Sequence, residues 1–109
     1  MSKYIKKPVV VEAFKWTGDR DQGEDPLWII EAIENGLAWI REGTSKYEPV
    51  MYITNSKDVM FAEKGDYIIK DAQGEIYSCK PDVFKKTYDK YPEYDEIVDL
   101  IKNQIHPNY

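Results

Sequence analysis

With 109 residues, 42% hydrophobic and 14% aromatic, the chain can bury roughly two thirds of its unfolded surface in one core, and it is too short for two ordinary domains. Twenty acidic residues against 15 Lys and Arg give a net charge of -5, which excludes a broad grip on nucleic acid or an anionic membrane and leaves room for a local basic pocket. One cysteine rules out an intrachain disulfide, and with no secretory h-region and no apolar run near 18 residues the expectation is a protein of a reducing cytoplasm.

In chain order, Pro8-Val9-Val10-Val11-Glu12-Ala13-Phe14-Lys15-Trp16 is β-rich, first continuous and then alternating. It predicts a strand buried on both faces at its start. A polar loop follows, and Asp25-Pro26 supplies an N-cap and a first-position proline for a helix over 27–35, closed by Gly36. Trp28, Ile29, Ile30, Ala32 and Ile33 cover more than one stripe of that helix, which implies burial on a broad face or an interface with a second molecule. The excess of Trp28, Ile29, Ile30 and Ile33 over one core face predicts a dimer or larger. Residues 37–41, 50–54 and 59–62 read as strands.

The turn Glu63-Lys64-Gly65-Asp66 leads into a hairpin in which Tyr67 and Ile69 alternate with Ile68 and Lys70, and Tyr77 and Cys79 alternate with Ile76 and Ser78. Asp71-Ala72-Gln73-Gly74 is its loop, with Asp suited to open a turn and Gly to adopt positive φ. Pro81 and Asp82 then start a helix over 81–91 whose stripe is Val83, Phe84, Thr87, Tyr88 and Tyr91. A last helix over 92–104 places Tyr94, Ile97, Val98, Ile101 and Ile105 on one side. The predicted architecture is a single α+β domain spanning 1–109, a mainly antiparallel β-meander with two or three packed helices. Its core holds Val10, Phe14, Ile30, Tyr52, Phe61, Ile69, Tyr77, Phe84 and Tyr88.

The glycines are spaced too widely for a Rossmann or P-loop motif. Cys79 reads as a small buried thiol, since the sole histidine, His106, lies in the C-terminal tail, and too few ligands remain for zinc. In the acidic loop 19–25 Glu24 stands where a calcium loop needs glycine. Glu31 and Glu34 read as a charged helix face. No catalytic residue, metal or cofactor is expected, so the chain does not read as an enzyme.

Binding is the chemistry that remains. Aromatic residues recur beside cations in Phe14-Lys15-Trp16, in Trp39 with Arg41, in Tyr67 with Lys70 and in Tyr77 with Lys80. Rings of this kind stack bases, and cations pair with phosphate oxygens. Trp16, Arg41, Tyr67, Lys70, Tyr77 and Lys80 are therefore the candidate ligand-binding residues. Taken singly, Trp16 and Tyr77 read as core aromatics, and Lys15 and Lys70 as solvated charges.

The segments YIKKPVVVEAFKW (4–16), followed by Thr17-Gly18-Asp19, and GDYIIKDAQGEIYSCKPDVFKKTY (65–88) resemble a family of small bacteriophage and prophage proteins, over about a third of the chain. Lys64 and Ser78 stand where that family usually has proline. The second block also looks like that of viral sponge proteins, which hold cyclic nucleotide signals of bacterial immunity without cleaving them. The resemblance implies an anti-defence protein of the host bacterial cytoplasm that assembles as a homo-oligomer around a cyclic nucleotide. An interaction module that binds a host or phage protein, through the apolar helix face or an open strand edge, is the alternative.

Overall fold

The computed structural model describes residues 2–4, 9–18 and 25–90. They form the strands and helices β1 (Glu12–Lys15), α1 (Leu27–Glu34), β2 (Ala38–Arg41), β3 (Val50–Thr54), β4 (Val59–Ala62), β5 (Tyr67–Lys70), β6 (Ile76–Cys79) and α2 (Pro81–Thr87). The sheets are three-stranded and antiparallel, ordered β1-β5-β6 and β2-β3-β4. The fold is α+β, as the alternation of patterns implies. The expected helix over 92–104, Tyr91, His106 and most of the acidic loop lie outside the described residues.

The meander is confined to β2-β3-β4. After Ala62 the chain leaves that sheet through the 63–66 turn and pairs with β1 instead. Gly65, at φ +94, donates its N–H to the Trp16 carbonyl at 2.8 Å, and Trp16 N–H returns a bond to the Asp66 carbonyl at 2.9 Å. These two bonds carry the β1–β5 ladder beyond Lys15 and fix the switch of sheets. At the other end the ladder stops at Glu12 opposite Lys70, where the hairpin turns. The described residues just ahead of Glu12, Val9 to Val11, therefore have no strand to pair with, and Val9 and Val10 are 54% and 63% exposed, contrary to the buried strand start expected there.

Phe14, Trp16, Met51, Ile53, Ala38, Ala62 and Ile68 form the core between the inner sheet faces, joined by Ile29 and Ala32 of α1. Trp28 reaches Phe14 edge-on with ring centroids 5.5 Å apart, so the helix closes the space between the sheets. Asp25 is not the N-cap: Pro26 occupies that position in extended geometry and its carbonyl accepts the Ile29 N–H. The helix ends as its glycine requires. Leu37 N–H bonds the Ala32 carbonyl, Gly36 N–H bonds the Ile33 carbonyl, and Gly36 takes φ +77.

Along with Val10, three further expected core residues, Ile30, Tyr52 and Phe61, face outward. Only the Ile29 and Ala32 stripe of α1 is fully buried, which leaves Ile30 at the surface with Leu27 and Ile33. Alternation along β4 buries Ala62 and turns Phe61 outward beside Tyr52 and Trp39, its neighbours across the sheet.

The edges of β4 and β6 lie side by side and are joined through side chains. Asn55 Nδ2 donates to the Ile76 carbonyl at 3.0 Å and the Ser78 hydroxyl to the Phe61 carbonyl at 2.9 Å. In the hairpin, Asp71 Oδ1 accepts the N–H groups of Gln73 and Glu75, and Gly74 takes φ +85. Pro81 opens α2 as expected, and the helix packs on the outer face of β5-β6 by stacking Phe84 on Tyr67, centroids 3.9 Å apart and planes within 3°. Ile69, on the same face of the hairpin as Tyr67 and Tyr77, is fully buried.

Candidate functional site

The six sequence-predicted binding residues do not converge. Trp16 is buried in the core. Tyr67 lies under Phe84, and the Tyr77 hydroxyl is 3.2 Å from that of Tyr88, at the end of α2. Burial, with the Tyr88 contact second, pushes the Tyr77 phenol well above its ordinary range. Lys70 stands opposite Ile76 and Glu12, on the hairpin face turned away from Tyr67. Arg41 belongs to the other sheet, opposite Val50.

Lys80 is engaged within the fold. Its ammonium lies 3.0 Å from Asp66 Oδ2 and 3.1 Å from Glu63 Oε1, and these two bonds hold its pKa above the ordinary lysine value. Asp66 is the buried charged residue of the described core, and its Oδ2 also accepts the Glu63 N–H at 2.9 Å. Such a carboxylate needs its cation close by. Cys79 is likewise no poised nucleophile, because burial and then the Asp66 and Asp82 carboxylates push its thiol up, away from the thiolate.

A cleft of about 400 Å³ lies where the loop after β2 meets the turn after β4. It is lined by Arg41, Lys46, Tyr47, Glu48, Pro49, Val50, Glu63 and Lys64, three cations against two carboxylates. The loop is shaped locally. Thr44 Oγ1 accepts the N–H groups of Lys46 and Tyr47, while Thr44 N–H bonds the Tyr47 carbonyl at 2.8 Å. Pro49 fits between two glycines: a Cβ on Gly43 would come within 2.9 Å of Pro49 Cδ, and one on Gly18 within 3.1 Å of Pro49 Cγ and 3.3 Å of the Trp16 ring. Trp16 thus backs the loop from the core.

Lys46 Nζ sits 5.6 Å from the centroid of the Tyr47 ring, which remains 59% exposed. Among the described residues Arg41 takes part in no ion pair or hydrogen bond through its guanidinium. Lys80 does not line the cleft and is linked to it through its ion pair with Glu63. No protein-family model, curated protein or solved structure matches the chain.

A second cavity, of about 430 Å³, lies between the 55–58 loop and the hairpin turn, with Met60 and Tyr77 among its lining residues. Lys57 faces Asp58, Asp71 and Glu75 there, so the lining is acidic. Two of those carboxylates hold the loops, Asp71 through Gln73 and Glu75, and Glu75 through the Ser56 N–H at 3.3 Å. Phosphate is disfavoured in such a place.

Of the sequence-predicted set, Arg41 alone lines the basic cleft. Lys46, Tyr47 and Lys64 were missed because they stand in a loop and a turn that the strand patterns skip. The available signal was Lys46-Tyr47 between Gly43 and Pro49: an aromatic-cation pair inside a loop that glycine and proline hold in shape. Among the described residues no group of three or more His, Cys, Asp or Glu is placed to hold a metal, and no helix is long and apolar enough to cross a membrane.

Proposed function

We propose that the protein captures a cyclic nucleotide in the cleft between the 42–49 loop and the 63–66 turn and holds it without turnover. One observation carries the reading: Arg41, Lys46 and Lys64 line a cleft of about 400 Å³ together with the exposed Tyr47 ring, over which the Lys46 ammonium sits at 5.6 Å. Cations pair with phosphate oxygens and the ring offers a face to a base. The volume is at the lower end of the range of small-molecule sites. Among the described residues the lining offers no histidine, cysteine, serine or threonine as a nucleophile beside its two carboxylates, which favours capture over covalent chemistry.

The resemblance to phage proteins gives the capture its setting, sequestration of an immune signal in the cytoplasm of a bacterial host. Leu27, Ile30 and Ile33, exposed at i, i+3 and i+6 on α1, supply a surface for a second copy. Light scattering above the 12.8 kDa of one chain would support that assembly.

Calorimetry against cyclic di- and trinucleotides tests the reading. Binding is expected to weaken at least about tenfold in Arg41→Glu, which sets a carboxylate against phosphate, and the ligand is expected back chemically unchanged after denaturation. Absence of heat with every nucleotide, or recovery of hydrolysed ligand, overturns it. The second reading, a protein-binding module, is favoured by the exposed outer face of β2-β3-β4, where Trp39 stacks on Tyr52 at 5.6 Å and Tyr52 leans toward Phe61 at 6.4 Å. Replacement of Phe61 by serine would impair that function and leave nucleotide capture intact.

A further inference from the structure

Glu63 raises a question the nucleotide reading leaves open, since a carboxylate in a phosphate-binding cleft opposes the ligand unless the ligand uses it. Its position is set from two sides. The Glu63 N–H is bonded to Asp66 Oδ2 and its carbonyl accepts the Asp66 N–H at 3.0 Å, which closes the 63–66 turn. The Glu63 Oε1 is bonded to Lys80, whose ammonium is anchored in turn on the buried Asp66 carboxylate. Yet the Glu63 side chain is 59% exposed and lines the cleft beside Lys64. Among the described residues its Oε2 takes no hydrogen bond.

We infer that Glu63 makes the cleft selective for a guanine-containing cyclic nucleotide by accepting hydrogen bonds from the guanine edge. The inference rests on the nucleotide reading above. Guanine presents N1–H and the 2-amino group side by side, two donors that match the two oxygens of a carboxylate. Adenine presents a ring-nitrogen lone pair beside its 6-amino group and meets the carboxylate with repulsion. Cytosine has the same donor-beside-acceptor arrangement, and uracil a single donor between two carbonyls. With Tyr47 stacking the base and Arg41 on a phosphate, a fixed acceptor at the cleft wall decides which base is held. A good bidentate contact to a base edge corresponds to about tenfold to a hundredfold discrimination.

The test titrates the full chain with cyclic di-GMP, cyclic di-AMP and cyclic di-IMP, the last lacking only the 2-amino groups of the first. Cyclic di-GMP is expected to bind at least about tenfold more tightly than either of the others. Glu63→Gln, in which Lys80 keeps its bond to Asp66, is expected to erase the preference without lowering the melting temperature by more than a few degrees. Equal affinity for cyclic di-GMP and cyclic di-IMP, which depends on no variant folding, overturns the role of Glu63 and leaves nucleotide capture standing. So does a preference that survives in folded Glu63→Gln. No binding of any of the three, nor of the wider cyclic nucleotide panel, overturns the reading on which the inference rests.

Discussion

The β5-β6 hairpin with α2 and the cleft between the 42–49 loop and the 63–66 turn are made from the same kinds of residue, aromatic rings beside cations, and use them in opposite ways. In the hairpin Tyr67 is stacked on Phe84, the Tyr77 hydroxyl meets Tyr88, and Lys80 is bonded to Asp66 and Glu63. At the cleft Tyr47 is largely open and Arg41 has no partner among the described residues. Residue type alone is the same signal in both places. What separates a scaffold from a site is whether the fold has already used the ring face and the charge.

Substitutions that attack this contrast should separate stability from binding. The largest effect is expected at Ile69, fully buried on the hairpin face that carries α2: Ile69→Ala should cost about 2–5 kcal/mol in urea unfolding. Phe84→Ala should follow at about 2–3 kcal/mol, below the value for a wholly buried ring because Phe84 is half-buried and its main partner is the Tyr67 face. A cost near zero for Phe84→Ala would show that α2 does not dock through that stack.

Lys80→Met should come next, at about 1–2 kcal/mol, less than for a fully enclosed pair because the lysine is half exposed and water can replace part of its charge. The same region sets an alkaline limit. The folded-state pKa values of Lys80, Cys79 and Tyr77 all lie above their ordinary values, so the native chain holds more protons than the unfolded one at high pH. Their contribution is complete below the unfolded values and is lost as pH rises through the folded ones, so the melting temperature should fall from about pH 8.5 upward. Tyr77→Phe should flatten the steepest part of that fall. A melting temperature unchanged up to pH 11 would contradict the assignment.

The hairpin was legible in the sequence because its signals are local. Asp71 and Gly74 make their turn with bonds two to four residues away, Pro81 starts α2 where a proline can, and Gly36 ends α1 by a motif contained within six residues. The strands β3 and β4 carry their boundaries in the same way. The sheet switch after Ala62 was not legible, since it depends on Gly65 and Asp66 finding Trp16 some fifty positions earlier. Nor was the truncation of β1, which is set by the length of its partner. The cleft is the least local feature of all: it exists because the Pro49 loop, seated against Gly18 and Gly43, comes to rest beside the turn that carries Glu63 and Lys64.

The smallest stability effect is expected where the binding effect is proposed. Arg41→Glu should change unfolding free energy by less than about 0.5 kcal/mol, as for a surface residue without partners, whereas Lys80→Met should reduce stability measurably. A large loss of stability in Arg41→Glu would mean that the arginine is part of the scaffold.

The most direct measurement is a titration of the isotope-labelled chain with a cyclic dinucleotide, followed by amide chemical shifts in NMR spectra. The expected result is that the shifts concentrate at Arg41, Lys46, Tyr47, Glu63 and Lys64, with Lys70, Ile76 and Tyr77 unmoved. Shifts centred on the hairpin, or no shift at any residue, would contradict the assignment of the cleft as the binding site.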